Sequence, residues 1–321
     1  MTMDFGDLTA QIAGDRLVTT AEIAELRRLG WADGRMTPDE AEALFLANEI
    51  ADAPDSEWCD FFVEALTNFV VHTVEPRGYV DAEMAEELIA RIDRDGRVGT
   101  MGELELLVRV IEVASSVPAP LRAYALHQIE EAVALGDGPT RHGQLDRCGI
   151  NQAEVNLLRR VIFGTGSERP AGVSKGEAEL LFRIKDATLY EINCPEWTDL
   201  FVKGVAQYLL GFAGDEAPDS ERMRELEAFM NREGAGIGSF LARIARADIG
   251  EGFGSLLDKD ENRASHEDRV EAAALFTVSE QSWLQDMLDA DEDLDDLERA
   301  LIAFIDAETG QTFVPRPSPA C

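Results

Sequence analysis

The feature that most constrains this chain is an internal repeat with helical spacing. Ile150-Asn151-Gln152-Ala153-Glu154-Val155 repeats the pattern of Val18-Thr19-Thr20-Ala21-Glu22-Ile23, and Leu158-Arg159-Arg160 repeats Leu26-Arg27-Arg28. Gly176-Glu177-Ala178-Glu179-Leu180-Leu181-Phe182 then matches Asp39-Glu40-Ala41-Glu42-Ala43-Leu44-Phe45. Pro195-Glu196-Trp197-Thr198-Asp199-Leu200-Phe201-Val202 matches Ser56-Glu57-Trp58-Cys59-Asp60-Phe61-Phe62-Val63. Identical residues in the same order across three segments predict one folding unit present twice. Trp58 and Trp197 hold corresponding places and are expected to anchor their helices in the core.

Within each copy the apolar residues recur at helical spacing. The pattern predicts helices starting near Thr19 and Thr37, then over about 56–72, 81–93 and 103–115, with a sixth from Pro118 to near Gly136. Thr37-Pro38-Asp39-Glu40 supplies an N-cap, a proline at the first helical position and a Glu three residues after the cap. In the second copy further helices are expected at about 220–231 and 239–247. The fold expected is all-α: a duplicated helical bundle, residues 1–140 and 141–250, with a small C-terminal helical module at 251–311. That module repeats the order helix, acidic turn, helix and reads as a partial third copy. The proline-bearing end, 312–321, is expected to be a disordered tail.

Charge narrows the partners. With 63 acidic and 29 basic residues the net charge is -34. There is no basic excess to displace counterions from a phosphate backbone, so nucleic acid is not expected. The same charge disfavours an anionic membrane surface and favours a cation or another protein with a basic surface. No stretch approaches the roughly 18 apolar residues of a membrane span, and Met1–Gly14 lacks the pattern of a signal peptide. The four cysteines, Cys59, Cys148, Cys194 and Cys321, are widely spaced. Their spacing fits a reducing compartment, and a cytoplasmic location is expected.

Chemistry-bearing patterns are few. His72, His127, His142 and His266 have no Ser or Cys partner pattern. Gly164-Thr165-Gly166 lacks the Gly-Lys-Ser/Thr of a phosphate loop. The most suggestive segment is Ala32-Asp33-Gly34-Arg35-Met36-Thr37-Pro38-Asp39-Glu40. Against a calcium loop, Asp33, Gly34, Met36 and Glu40 fall at positions five, six, eight and twelve. A second turn, Ile92 to Val98, offers Asp93 and Asp95, but Gly102 stands where the bidentate Glu belongs and Glu103 comes one residue late. The same residues also read, more simply, as an Asp-Gly turn followed by a capping box. The acidic run Asp286 to Asp296 offers oxygen ligands to a hard cation or, alternatively, a solvated turn before a helix.

The segment ADGRMTPDEAEALF resembles the tellurite-resistance TerB-like family, which includes the N-terminal domain of certain membrane-anchored J-proteins. That family is all-helical and acidic, with a two-fold repeat of helix, ADG-hydrophobic-S/T-x-x-E turn, helix. The resemblance spans residues 18–135. It implies a divalent cation, calcium or magnesium, at Asp33 and Glu40 in the first turn and at Asp95 and Glu103 in the second, and a place in stress-linked complexes. The second copy departs from it, because the loop Gly164–Gly172 replaces the Asp-Gly turn and keeps only Val173 and Glu177 of the motif. The function expected is therefore a non-enzymatic interaction or stress-associated protein with weak divalent-cation sites. The alternatives are a scaffold without metal and an enzyme with an unrecognised pocket.

Overall fold

The computed structural model describes residues 5–30, 35–51, 55–94, 96–141, 149–167, 172–211, 278–289, 294–310 and 312–315. Asp33, Asp95, the helices expected at 220–231 and 239–247, and most of the tail lie outside the described residues. The described chain is all-α apart from one two-stranded ribbon. It divides into two compact units, Met1–Arg147 with Asn156–Pro170, and Cys148–Val155 with Ala171–Cys321. Among the described residues no helix is long and apolar enough to cross a membrane.

In the first unit the helices are α1 (Phe5–Asp15), α2 (Thr20–Gly30), α3 (Pro38–Ile50), α4 (Ser56–Thr67), α5 (Ala82–Ile92), α6 (Met101–Val113) and α7 (Ala119–Leu135). Helix α4 packs along α6, and α1 packs along α3. The interior between them holds Leu44, Trp58, Phe61, Phe62, Leu66, Leu104, Leu107 and Ile111, all fully buried. Helix α1 is not among the elements the sequence pattern predicts. It buries Phe5, Leu8 and Ile12, three residues on one helical stripe.

The single helix expected at 56–72 is in fact α4 continued by a wider π-turn, Asn68–Thr73, closed by the Val74 amide on the Phe69 carbonyl at 3.1 Å. The chain then returns to the end of α6: the Ser115 amide donates to the Gly78 carbonyl at 2.7 Å, and the Val80 amide to the Ser116 carbonyl at 3.0 Å.

The turn after α5 is a small antiparallel ribbon, β1 (Asp93–Arg94) and β2 (Arg97–Val98). Gly96 turns the chain at φ +89, a left-handed backbone that favours glycine. Its amide donates to Asp93 Oδ1 at 2.7 Å. The buried Gln128 of α7 grips the ribbon from behind, accepting from the Val98 amide at 2.8 Å and donating to the Gly96 carbonyl at 2.9 Å.

Gly164-Thr165-Gly166 serves packing. The Gly166 amide donates to the Ile111 carbonyl at 2.9 Å, and a Cβ on Gly166 would lie 2.6 Å from Val117 Cγ2 and 2.7 Å from that carbonyl. Only glycine lets the backbone come so close to the end of α6.

Helix α8 (Gln152–Phe163) has its first residues in the second unit and the rest in the first. The second unit also contains α9 (Lys175–Ala187), α10 (Pro195–Gly211), α11 (Val278–Leu288) and α12 (Asp296–Thr309). Helix α10 packs against both α9 and α12. The C-terminal helices, which the sequence pattern sets apart as a module, thus lie within the second unit. Its interior is built from Leu181, Phe182, Trp197, Leu200, Phe201, Val205, Leu301 and Ile305.

Candidate functional site

Acidic side chains three residues after a capping residue dominate the turns. In the first unit Glu22 returns to the Thr19 amide (2.9 Å), Glu40 to the Thr37 amide (2.7 Å) and Glu103 to the Thr100 amide (2.9 Å). In the second, Glu154 returns to the Asn151 amide (2.9 Å), Glu177 to the Ser174 amide (2.8 Å) and Glu298 to the Asp295 amide (2.9 Å). In each case the capping side chain accepts from the Glu amide in return, at 3.0–3.3 Å in the first five and 2.9 Å in the sixth. Each such box satisfies amides that the first helical turn leaves without partners, worth about 1 kcal/mol per cap.

These boxes decide where the expected metal ligands stand. Glu40 Oε2 accepts from both the amide and the hydroxyl of Thr37, at 2.7 and 2.9 Å. Glu103 is buried, and both its oxygens accept hydrogen bonds. Asp33 and Asp95 lie outside the described residues. Among the described residues no group of three or more His, Cys, Asp or Glu side chains is placed to hold a metal ion.

What the structure does assemble is a polar node deep in each unit. In the first, Asn48 on α3 is 2 % exposed and sits between α4 and α6. Its Oδ1 accepts from Trp58 Nε1 at 3.0 Å, and its Nδ2 donates to Thr100 Oγ1 at 3.2 Å and Glu103 Oε1 at 3.3 Å. One neutral amide therefore joins the core tryptophan to the capping box of α6.

In the second unit Lys185 on α9 stands twelve residues before Trp197 and eight after Glu177, as Asn48 stands ten before Trp58 and eight after Glu40. The Lys185 side chain is 0 % exposed. Its ammonium donates to Asp295 Oδ2 at 2.7 Å and Glu298 Oε1 at 2.8 Å, the capping box of α12, and contacts Asp186 Oδ1 at 2.7 Å. An ammonium has no acceptor. Trp197 Nε1 accordingly remains buried with no hydrogen-bond partner among the described residues.

The rings around the nodes recur as well. Phe45 and Phe62 meet edge-on at 5.6 Å, and Phe182 and Phe201 do so at 5.2 Å. Trp58 lies 6.3 Å from Phe62, and Trp197 lies 6.0 Å from Phe201.

Electrostatics give the Lys185 node a defined character. Burial alone would drive the ammonium toward neutrality, but the hydrogen bonds to Asp186, Asp295 and Glu298 outweigh it and hold its proton well above the ordinary lysine value of 10.5. A lysine that serves as nucleophile or base needs the opposite shift. Lys185 is therefore a fixed cation that docks the α12 cap.

The consequence for pH follows from linkage. The folded state holds this proton more tightly than the unfolded chain, so its stabilisation is complete below 10.5 and declines as pH rises above it. Wild type should lose about 1.4 kcal/mol more per pH unit above that value than a Lys185→Met variant. Thermal unfolding between roughly pH 9 and 11.5 checks this; parallel declines in the two proteins would refute it.

The two thiols among the described residues, Cys59 and Cys194, are not activated. Burial, with Glu105 and Asp60 nearby, pushes Cys59 up to about 11, and burial also raises Cys194. Little thiolate is present at neutral pH, so neither is suited to attack a substrate. In the first unit Arg160 is clasped by Glu105 at 2.6 Å and Glu112 at 3.2 Å, an ion-pair cluster that fastens the end of α8 to α6. Comparison of the chain with protein-family models, curated proteins and solved structures brings out no match.

Proposed function

We propose that this chain is a non-enzymatic interaction protein, built from two copies of one helical unit, whose surface carboxylates engage a basic protein partner. The observation that carries the reading is how charge is spent. Among the described residues, several surface cations are taken by the chain's own acids: Arg27 by Glu64 at 2.9 Å, Arg28 by Glu25 at 2.6 Å, Arg109 by Glu112 at 2.8 Å and Arg299 by Asp296 at 2.7 Å. The balance, -34 overall, is left as a negative field that steers a positive partner.

The duplication is part of this proposal. It is supported by three capping boxes per unit, by the recurring Phe and Trp pairs, and by polar nodes that each tie a core helix to a later helix cap. On this reading α11 and α12 complete the second copy, as α5 and α6 complete the first. A reducing, cytoplasmic and stress-linked setting belongs to the same proposal. Divalent-cation binding at Asp33, Glu40, Asp95 and Glu103 is the second reading, carried by the resemblance of the Asp-Gly turns to the TerB-like family.

Affinity capture with the full chain tests the leading reading. It should recover a reproducible partner with a basic surface that is released as salt is raised; recovery of none, or binding indifferent to salt, overturns it. Calorimetry with calcium and magnesium decides the second. A saturable heat lost in Asp33→Asn with Glu40→Gln would establish the cation sites, and silence with both ions would remove them.

A further inference from the structure

The connection between α9 and α10 exposes two side chains that a helical bundle would ordinarily bury. Tyr190 is 94 % exposed and Ile192 86 %, the largest values among the bulky apolar side chains of the described residues. Leaving such a side chain in water forgoes about 1.5–3 kcal/mol of burial.

The loop that carries them is tightly built. The Glu191 amide donates to the Thr188 carbonyl at 3.1 Å, and Asn193 Nδ2 donates to the same carbonyl at 3.1 Å. Asn193 Oδ1 accepts from the Ile150 amide at 3.0 Å, and the Cys194 amide donates to the Ile150 carbonyl at 3.0 Å. The packing against Gly149 is close enough that a Cβ there would fall 2.4 Å from Asn193 Oδ1. The two exposed side chains are thus presented from a fixed frame, which lowers the entropy lost when a partner covers them. The loop is also longer than its counterpart: seven residues, 188–194, join α9 to α10, whereas five, 51–55, join α3 to α4.

Charge says what fits over it. From Asp186 to Glu196 the chain contains three acids, Asp186, Glu191 and Glu196, and no Lys, Arg or His. Asp186 is already paired with Lys185 at 2.7 Å, whereas Glu191 is exposed. The geometry points to the 188–194 loop as a docking surface for a basic segment of another protein, with an apolar or aromatic side chain of that segment seated on Tyr190 and Ile192 and its cations facing Glu191 and Glu196. An anionic membrane is disfavoured by the same acids and by the net charge of -34.

The inference rests on the interaction reading above, and its test separates the two. Short random peptides displayed on phage are selected on the full chain, then measured on wild type, on Tyr190→Ser with Ile192→Ser, and on Glu191→Lys. Both substituted positions in the double variant are solvent-exposed, and circular dichroism confirms that the fold is kept. The selected peptides should be basic with one large apolar residue. Their affinity should fall about tenfold or more in the double variant, the size expected for loss of an interface anchor, and also in Glu191→Lys. Basic peptides that bind the double variant as tightly as wild type would refute this surface while sparing the general reading. Selection that yields no basic peptides would refute both. Self-association of wild type, lost in the double variant, would make a second copy the occupant and overturn the basic partner.

Discussion

Lys185→Ala is expected to destabilise the second unit by about 3–5 kcal/mol, the usual cost of removing one member of a buried charge cluster. The size follows from what is left behind. Glu298 is fully buried and Asp295 nearly so, and the ammonium donates to both as well as to the half-exposed Asp186. Without the cation both face the interior uncompensated, and desolvation already holds Glu298 above the usual carboxylate range even with Lys185 beside it. The loss should appear first as faster amide exchange along α12, because that helix is docked through its cap. Denaturant unfolding with exchange read residue by residue checks the prediction. A change below about 1 kcal/mol, the range of an exposed ion pair, would show that the cluster is solvated.

Trp58→Ala is expected to cost about 3–5 kcal/mol in the first unit, from the cavity left by a fully buried ring. The milder substitution is more telling. Trp58→Phe keeps most of the ring but leaves Asn48 Oδ1 without the donor that now reaches it at 3.0 Å. Trp197→Phe removes only a buried N–H that has no partner among the described residues. The first change should therefore exceed the second by about 1–3 kcal/mol, the cost of an orphaned buried acceptor. Equal losses in matched melting experiments would contradict the arrangement of the two nodes.

Much of this was legible in the sequence. Thr37 and Glu40 are a capping box by spacing alone, and the structure forms it. The helical periods of α3, α4 and α6 and the burial of both tryptophans follow from apolar residues recurring on one face. Helix α1 is hard to read from the sequence because its stripe is only Phe5, Leu8 and Ile12, although Asp4 directly before it is a candidate cap.

The nodes were missed for a different reason. Asn48 meets Glu103 across 55 residues and Lys185 meets Glu298 across 113, distances at which local patterns carry no information. Each does leave one trace. Asn48 falls four residues after the buried Leu44, and Lys185 four after the buried Leu181, so both place a polar group on the core face of a helix. A polar residue at that position requires a buried partner, and aligning the two similar sequence segments puts the two in register.

The Asp-Gly turns read two ways in the sequence. Spacing alone cannot tell a cation ligand from a helix cap, and in the structure Glu40 and Glu103 complete caps.

One relation links the two units: α12 is held to α9 in the second as α6 is held to α3 in the first. A pair of double-mutant cycles measures it directly, Asn48→Ala with Glu103→Gln and Lys185→Met with Glu298→Gln. Both cycles should return a coupling of about 1 kcal/mol or more, the range found for groups sharing a buried network. Additivity in the second cycle, within the roughly 0.3–0.5 kcal/mol typical of independent sites, would mean that α12 does not complete the second unit.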